Sequence, residues 1–225
     1  SISYSCFDNK KNIKLPIKLT PLLAEEMGIH CGDGFLSSKK YEYRLKGNKN
    51  EREYYDAYLS QLYKNLYNLN LNLKEYETTY GFELSSKALW QFKANLLNLP
   101  RGRKDVMDVP TIIKSGSFDI ITSFIRGVFD TDGYLSFINS NKRRSNGYYP
   151  VISLTIKSEK FMRSLNELLF SLGFLHSFYS ERGCWQIKLY GYARFQRYLQ
   201  LIGWRNPKNL EKIRRWREQY PNLMA

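Results

Sequence analysis

The sequence is short of cysteine, proline and long apolar runs, and each shortage excludes a class of protein. Its three cysteines, Cys6, Cys31 and Cys184, are odd in number and far apart, so they form neither a closed disulfide framework nor a CxxC zinc site. With 7 prolines and 43% hydrophobic residues, the composition is neither collagen-like nor disordered. No apolar run approaches the ~18 residues of a membrane span, and no secretory signal precedes the polar start. We therefore expect a soluble globular protein of a reducing compartment, intracellular and cytoplasmic.

Acidic residues are also few relative to basic ones. The 225 residues include 35 Lys and Arg but 21 Asp and Glu, which gives a net charge of +14. A polyanion is therefore the expected partner. The basic residues are mixed with 18 tyrosines in strand-like segments and do not follow one amphipathic helix, so nucleic acid is favoured over a membrane surface.

The most informative feature is an internal repeat. TPLLAEEMGIHCGDGFL at 20–36 and SFIRGVFDTDGYL at 123–135 align without a gap and place Asp33 opposite Asp132. Each segment predicts a helix that begins at a polar cap and ends at the glycine after the aspartate. Both aspartates should therefore lie at the C-terminal end of a helix.

Small residues recur every four positions along both predicted helices, with Gly28 matching Gly127. Stripes of small side chains let two helix backbones approach closely. If the helices pack side by side and parallel, Asp33 and Asp132 emerge together at one end of the interface. The spacing thus predicts a pair of carboxylates.

The repeat continues through the rest of both halves. Period-2 strands are predicted at 41–46, 82–86, 152–157 and 185–190, with helices at 53–67 and 159–172. Each half then reads helix, two strands, helix, two strands, helix. The predicted organisation is an N-terminal half at 1–99, a linker at 100–116 and a C-terminal half at 117–225, the last with an additional basic helix. In this alignment Lys46 and Lys157 end equivalent strands, and Lys87 stands opposite Tyr192.

The duplicated segments GIHCGDG and GVFDTDG resemble the motifs of the LAGLIDADG homing endonucleases, in the single-chain form with two motifs. The first motif departs from the pattern, with Glu26 at the opening leucine position, His30 at an apolar position and Cys31 in place of the earlier acid. The resemblance implies an α+β fold of two pseudo-symmetric αββαββα halves. These form a saddle with antiparallel DNA-binding sheets, and the LAGLIDADG helices meet at the interface through Gly28 and Gly127.

The linker sequence LPRGRKDVMDVP is similar to archaeal intron-encoded and intein-associated members, so an archaeal host is expected, with an organelle as the alternative. The resemblance implies a site-specific endonuclease that makes a metal-dependent double-strand break at an intron or intein insertion site. Asp33 and Asp132 would be the metal ligands, with the carbonyl groups of Gly32 and Thr131 as auxiliary ligands. Two or more Mg²⁺ or Mn²⁺ ions would be shared at the helix ends, where carboxylates and the helix dipole favour a cation.

Basic residues complete the expected site. By the resemblance, Lys46, Lys157 and Lys87 would surround the cleavage centre, and Lys87 without a basic counterpart in the second half would make the two strands cut unequally. The candidate DNA-binding residues are Lys39, Arg44, Lys46, Arg143, Arg144, Lys157, Gln186 and Lys188. The expected partner is double-stranded DNA with a long, pseudo-palindromic or asymmetric target, bound by a monomer. Asp130 has no acidic counterpart, so a structural role is expected for it.

Three other functions remain open. An RNA maturase on the same fold would keep the basic saddle, with intron RNA as its partner, but it need not keep both acids. A LAGLIDADG-derived transcription regulator would lack the metal acids and add a helix-turn-helix domain. A sheet-based DNA-binding protein without catalysis fits if the carboxylates do not converge. The retention of both Asp33 and Asp132 favours the nuclease.

Overall fold

The computed structural model describes residues 1–139 and 148–220. Within these ranges the helices are α1 (Cys6–Lys10), α2 (Pro21–Asp33), α3 (Ser60–Tyr67), α4 (Lys87–Gln91), α5 (Thr111–Lys114), α6 (Phe118–Thr131), α7 (Glu159–Ser171), α8 (Tyr192–Leu201) and α9 (Pro207–Gln219). The strands are β1 (Gly34–Leu36), β2 (Glu42–Asn48), β3 (Lys74–Glu75), β4 (Thr79–Ser85), β5 (Gly133–Asn139), β6 (Tyr148–Ile156), β7 (Ser177–Glu181) and β8 (Cys184–Tyr190). A 3₁₀ turn at Lys49–Glu51 and π-helical turns at Tyr54–Leu59 and Phe92–Leu96 complete the regular structure of these ranges.

Two four-stranded antiparallel sheets have the same topology. The first has the strand order β1-β2-β4-β3 and the second the order β5-β6-β8-β7. Each sheet follows a long helix, α2 or α6, and the same succession of helices and strands occurs in both parts of the chain. The α+β architecture with a repeated αββαββα unit is therefore confirmed.

The sheets bury one face and leave the other polar. Along β2, Tyr43 and Leu45 are fully buried, while Glu42, Arg44 and Lys46 are partly exposed. This alternation follows from the two-residue period of a strand, because successive side chains point to opposite faces. The helices therefore cover one face of the sheet, and the other face carries its charged residues.

Helices α2 and α6 pack against each other through their glycines. A Cβ atom placed on Gly28 would lie 2.1 Å from the carbonyl oxygen of Phe124, and one placed on Gly127 would lie 2.1 Å from that of Glu25. Both contacts involve backbone atoms, which cannot move aside as a flexible side chain can. The expected close approach at Gly28 and Gly127 is confirmed, and it holds the C-terminal ends of the two helices together.

The glycine after each aspartate has a different role from the one that the sequence suggested. Gly34 closes α2 with φ −78°, so it is not a left-handed cap. A Cβ atom on Gly34 would lie 2.7 Å from the carbonyl oxygen of His30, and one on Gly133 would lie 2.4 Å from that of Phe129. Glycine is required here because each strand turns back tightly over the end of its helix.

The residues at which the first motif departs from the family pattern are buried in the N-terminal half. Glu26 is fully buried and accepts hydrogen bonds from Lys93, Tyr63 and Tyr67. The matching position of the second motif is Ile125, which is also fully buried. The repeat thus places an ion pair in one half where the other half has an aliphatic side chain.

His30 occupies the position of Phe129 in the repeat and is fully buried. Its ring stacks on Tyr43 with 5.4 Å between ring centroids, and neither ring nitrogen has a hydrogen-bond partner among the described residues. Burial and the nearby Lys93 and Lys104 lower its pKa well below the ordinary value. The neutral ring therefore acts as an aromatic core residue. Among the described residues, no helix is both long and apolar enough to cross a membrane.

Candidate metal and nucleic-acid site

The two helix ends bring Asp33 and Asp132 to one place. Asp33 is the last residue of α2, and Asp132 directly follows α6. A Cβ atom on Gly32 would lie 3.3 Å from Oδ2 of Asp132, so the second carboxylate lies against the end of the first helix. Because the carboxylates repel each other, Asp132 contributes to raising the pKa of Asp33. The predicted pair of carboxylates is present.

The carboxylate of Asp33 lies in a pocket of polar groups beneath β2. Tyr55 donates a hydrogen bond of 3.1 Å to its Oδ2. A Cβ atom on Gly47 would lie 2.7 Å from Oδ2 of Asp33, 2.8 Å from the Tyr55 hydroxyl and 2.9 Å from Oε2 of Glu51. A side chain at position 47 would clash with these three oxygens, so glycine is what allows them to lie close together. Burial, then Asp132 and Glu51, raise the pKa of Asp33 to about 7.

Asp132 has a more open environment, since it is exposed at the surface. The loss of hydration beside the helix end raises its pKa, while Lys104 and Lys208 oppose that rise. Asp33 is half-buried and Asp132 is exposed, and the loss of hydration raises the pKa of both carboxyl groups, to about 7 and about 6.

Glu51 is a third acid close to this pair, and it connects the two halves. Its side chain is 6% exposed and accepts hydrogen bonds from Nζ of Lys208 at 2.7 Å and Nδ2 of Asn206 at 2.9 Å. Asn206 also donates to the backbone oxygen of Asp130. Asp130 itself is fully buried, and its carboxylate accepts the backbone N–H groups of Arg205 and Asn206. This is the structural role expected for Asp130.

Lys104 lies across the C-terminal end of α2. Its Nζ donates to the carbonyl oxygens of Gly32 at 2.5 Å, Cys31 at 3.1 Å and His30 at 3.2 Å. The carbonyl of Gly32, which the sequence suggested as a free auxiliary ligand, is therefore already bound by an ammonium group. Within residues 1–139 and 148–220, no side chain donates to the carbonyl of Thr131, whose own hydroxyl bonds back to Gly127 and Val128.

The donor atoms at the helix ends suit a hard divalent cation. Carboxylate oxygens are the ligands that Mg²⁺ and Mn²⁺ prefer, and the helix C-termini add partial negative charge. In the described part of the chain, no three His, Cys, Asp or Glu side chains lie close enough to bind one metal ion. The residues present therefore fit a cation that takes two carboxylates from the protein and completes its coordination from outside the protein.

Lys46 and Lys157 are not equivalent, contrary to the sequence alignment. Gly34 pairs with Leu45 in the first sheet, and Gly133 pairs with Leu154 in the second. Lys46 therefore matches Thr155, and Lys157 lies two residues farther along, beyond the end of β6. A shift of two residues keeps the same face of the sheet but moves the side chain by about 7 Å.

Lys87 does not reach the paired carboxylates. It begins α4, as Tyr192 begins α8, which confirms that their positions match. Its Nζ lies 5.7 Å from the ring centre of Tyr41. Tyr41 is six residues from Gly47 along the strand, about 20 Å at 3.3 Å per residue, and Gly47 is the residue beside Asp33. Lys87 therefore lies near the other end of β2 from the paired carboxylates, and its expected role in cleavage stays a prediction.

The polar face of the first sheet contains acids as well as bases. Arg44 pairs with Glu42 and, at 3.5 Å, with Glu83, and Lys46 binds the same Glu83 at 2.5 Å. Lys46 also lies 3.4 Å from the ring centre of Tyr76. This face thus presents an ordered charge network and not a row of free cations.

The polar face of the second sheet carries the other candidate residues. Gln186 accepts a hydrogen bond from Tyr179 and donates one to Glu181, and Lys188 lies 5.4 Å from the ring centre of Tyr179. Lys157 and, in the first half, Lys39 are exposed. Two further candidates, Arg143 and Arg144, lie outside the described residues.

Comparison with known proteins shows what the C-terminal half and the fold are similar to. Residues 119–203 match the family described as the LAGLIDADG-like domain. The solved structure of the homing endonuclease I-DmoI in complex with DNA and Mn is similar to the chain at 16% identity with a TM-score of 0.56, over 83% of this chain and 98% of that one. The two-halved LAGLIDADG fold is thereby confirmed.

Two further proteins are similar to this chain. Full-length DUF199/WhiA from Thermatoga maritima has a TM-score of 0.57 at 12% identity, over 96% of this chain and 66% of that one. A glutamine–fructose-6-phosphate aminotransferase of Methanocaldococcus jannaschii is 29% identical over 169 residues, which are 74% of this chain and 14% of that protein. The chain thus spans about a seventh of the length of this curated relative.

Four residues around the two carboxylates were missed by the sequence analysis. They are Glu51, Tyr55, Lys104 and Lys208. Lys104 is 72 residues from the carbonyl group that it binds, and Lys208 is 157 residues from Glu51. Neither lysine lies in a repeated motif, so an alignment of the two halves does not single it out. Tyr55 and Glu51 lie in the expected helical region after β2, where the pattern alone does not show which polar residue faces Asp33.

Proposed function

We propose that the chain is a site-specific DNA endonuclease that makes a metal-dependent double-strand break. The observation that carries this proposal is the convergence of Asp33 and Asp132 at the paired ends of α2 and α6. A LAGLIDADG protein that only bound DNA would have no need of two acids next to each other, where they oppose the binding of phosphates.

In this proposal Asp33 and Asp132 hold Mg²⁺ or Mn²⁺. The bound cation supplies an activated water and neutralises charge at the scissile phosphate. Tyr55 positions the carboxylate of Asp33 by its hydrogen bond. Lys208 contributes positive charge next to Asp132, whose pKa it lowers. The solved complex of I-DmoI with DNA and Mn supports a divalent cation in this fold.

We further propose that the polar faces of the two sheets bind double-stranded DNA and select its sequence. Strands in the major groove can reach base edges, with Arg and Lys directed at guanine and Glu at cytosine. Arg44 and Glu83, which lie opposite each other in the register of β2 and β4, fit such a role. Because the two sheets carry different side chains on one polypeptide, the target is asymmetric and the active form is a monomer.

The relative of M. jannaschii indicates how a segment of this kind can be encoded within another gene. The similar segment makes up 14% of a protein whose name describes an aminotransferase. An aminotransferase reaction requires no nuclease, so the segment is best understood as an insertion with its own function. We propose that the present chain is likewise the endonuclease part of an intron-encoded or intein-associated element, whose target is the uninterrupted host sequence.

Cleavage of DNA that carries the uninterrupted host sequence, that is, the host sequence without the inserted element, tests this function. We expect the wild-type chain to cut both strands with Mg²⁺ and to stop when the metal is chelated by EDTA. Asp33→Asn and Asp132→Asn should each abolish double-strand cleavage and keep DNA affinity within about tenfold, since the acids hold metal and do not neutralise phosphates. An Asp105→Asn variant in the linker is the matched control and should cut normally.

The results separate the remaining candidates. If the wild type binds this DNA tightly but leaves it intact with Mg²⁺ and with Mn²⁺, the chain is a DNA-binding protein and the endonuclease proposal is wrong. If it instead prefers the folded intron transcript over the duplex, the maturase function is supported. Double-strand cleavage by either aspartate variant at the wild-type rate would contradict the site.

A further inference from the structure

Helix α9 places a lysine beside the polar face of the second sheet. Lys212 lies near the middle of α9, and its Nζ donates a hydrogen bond of 3.1 Å to the carbonyl oxygen of Leu135 in β5. The same ammonium group lies 3.6 Å from the ring centre of Tyr134. Because β5 is an edge strand, Lys212 extends the second sheet beyond its last strand.

Tyr134, on which Lys212 lies, belongs to the polar face of that sheet. It is 54% exposed, whereas Leu135, the next residue of β5, is fully buried. In the register of the sheet Tyr134 pairs with Ser153, which pairs with Lys188, so the three side chains form one row on the same face. Lys188 is one of the candidate DNA-binding residues. The ammonium group of Lys212 therefore lies at the end of a row that a bound duplex would contact.

Packing on the covered side of the sheet fixes the position of α9. Trp216, one turn after Lys212, is 3% exposed and stacks on Phe137 with 4.8 Å between ring centroids. Phe137 is three residues from Tyr134 along β5, so the two rings lie on opposite faces of the strand. Helix α9 is thus anchored on the covered side while the long stem of Lys212 reaches around the edge to the polar side.

The contacts of Lys212 hold its ammonium group without neutralising it. Both contacts, a carbonyl oxygen and an aromatic ring, are uncharged, and within residues 1–139 and 148–220 no carboxylate pairs with this lysine. On the first sheet, by contrast, Arg44 and Lys46 both pair with Glu83. An ammonium group has three donors, so Lys212 can still donate to an anion. Because the side chain is already ordered, binding an anion there costs little further conformational entropy.

We propose that Lys212 of α9 binds a phosphate group of the target duplex beside the second sheet, with Tyr134 as the residue that positions its ammonium group. This rests on the proposed function, because the ligand is the same double-stranded DNA. Helix α9 is then a third DNA-binding element next to the two sheets. A phosphate contact carries no sequence information, so it adds affinity and orients the duplex, whereas the sheets select the sequence.

Fluorescence anisotropy of labelled duplexes with the full chain in EDTA tests this proposal without cleavage. Two duplexes of equal length are compared, one with the uninterrupted host sequence and one of unrelated sequence. We expect Lys212→Gln to weaken binding of both about eightfold at ~100 mM salt and to reduce the slope of log affinity against log salt by about 0.9, the share of one phosphate contact. The losses should be equal because every sequence has the same phosphates.

The same helix offers a matched control. Arg214 is 58% exposed, pairs with Glu211 and Glu218, and lies on the opposite side of α9 from Lys212, since two residues turn a helix by about 200°. Arg214→Gln removes the same charge and should leave the slope unchanged. Lys212→Arg should keep the slope, and so should Tyr134→Phe, which retains the ring. Tyr134→Leu removes the ring and should weaken binding of both duplexes about threefold.

The outcomes separate this inference from the function on which it rests. If the wild type binds duplex DNA but Lys212→Gln and Arg214→Gln have equal slopes, Lys212 only attaches α9 to β5 and the inference is wrong. A loss confined to the host-sequence duplex would also contradict it, because it would assign Lys212 to base edges. If Lys212→Gln does not fold by circular dichroism, the comparison of Tyr134→Leu with Tyr134→Phe decides, and equal affinities would overturn the inference. A wild type that binds neither duplex would remove the proposed function as well.

Discussion

Glu26 and Lys93 show what a single departure from the repeat requires of its neighbours. Both side chains are fully buried, and together with Tyr63 and Tyr67 they form a closed polar group inside the N-terminal half. A buried ion pair adds little net stability because both charges lose their hydration, but a charge left without its partner is costly. The acid in the first motif is therefore tolerated only because Lys93 lies against it.

Removing one partner of this pair should cost more than removing both. We expect Lys93→Met to lower the free energy of unfolding by about 3–5 kcal/mol, since it leaves the carboxylate of Glu26 buried and unpaired. The double variant Glu26→Leu with Lys93→Met should recover much of that loss. Urea unfolding followed by circular dichroism measures both. A double variant less stable than Lys93→Met alone would contradict this account.

The raised pKa of Asp33 predicts how the stability of the metal-free protein changes with pH. Its pKa is about 7 in the folded protein against an ordinary value of 3.8. Between these values the folded chain binds a proton that the unfolded chain has released, so stability falls as the pH rises. The expected slope from this group is about 1 kcal/mol per pH unit, and it vanishes above pH ~7.

Urea unfolding in EDTA at several values between pH 4.5 and pH 8 checks this expectation. Asp33→Asn should make the slope shallower by about 1 kcal/mol per pH unit, because asparagine does not titrate, while Asp130 and Asp132, with pKa values raised to about 7 and about 6, continue to contribute. Asp105→Asn, which changes an acid paired with the exposed Arg103, should keep it. If the slopes of the wild type and Asp33→Asn agree, the carboxyl group of Asp33 titrates in its ordinary range.

At the scale of single residues, the sequence was sufficient to predict the pair of carboxylates but not the residues that surround them. Asp33 and Asp132 could be found because each is marked by a copy of itself about 100 residues away. Lys104 has no copy, and its partners are backbone oxygens, which every residue has. A contact of that kind depends only on where the linker runs in space, and no residue pattern encodes it locally.

Among the elements, α2 and α6 are held by contacts between backbones. Replacing glycine by alanine in a helix ordinarily stabilises it by up to about 1 kcal/mol. At Gly28 and Gly127 we expect the opposite, a loss of about 1–3 kcal/mol or more in unfolding free energy, because the new methyl group would meet a carbonyl oxygen of the partner helix.

Thermal and urea unfolding of Gly28→Ala and Gly127→Ala provide the measurement. Gly183→Ala is the control, since a Cβ atom there meets nothing within 4 Å and costs only the strain of its positive φ, +77°. Variants of Gly28 and Gly127 that are as stable as the wild type would show that the two helices do not touch at these points.

The strands show where a sequence pattern stops being informative. Alternation of polar and apolar residues correctly placed Arg44 and Lys188 on the polar faces. It could not detect that Lys157 lies two residues beyond the position that matches Lys46. A shift of two residues leaves every side chain on its own face of the sheet. The register depends on how many residues separate the paired positions, which are Gly34 and Leu45 in the first half and Gly133 and Leu154 in the second.

At the scale of the whole molecule, the net charge of +14 predicts a strong dependence of DNA binding on salt. If six or more phosphates are contacted, the affinity for target DNA should fall roughly 10³-fold or more between ~50 and ~200 mM salt. Fluorescence anisotropy with a labelled duplex measures this. Lys188→Ala should reduce the slope of log affinity against log salt by about 1.

Lys160 offers the matched control for that experiment. It lies on α7 and pairs at 3.5 Å with Asp108, and it is 72% exposed. Because α7 covers the apolar side of the sheet, Lys160→Ala should leave the salt slope unchanged. Equal effects of both substitutions, or an affinity independent of salt, would contradict DNA binding by the polar faces.

The contact between α2 and α6 at Gly28 and Gly127 has a consequence for inheritance. Backbone atoms are the same in every member of a family, so the contacts at these two points do not depend on the side chains of the partner half. Recombination between related genes can then exchange a complete half together with the side chains on the polar face of its sheet. The helix contact at these two points survives the exchange, whereas the hydrogen bonds of Glu51 with Asn206 and Lys208 require matching side chains in the two halves.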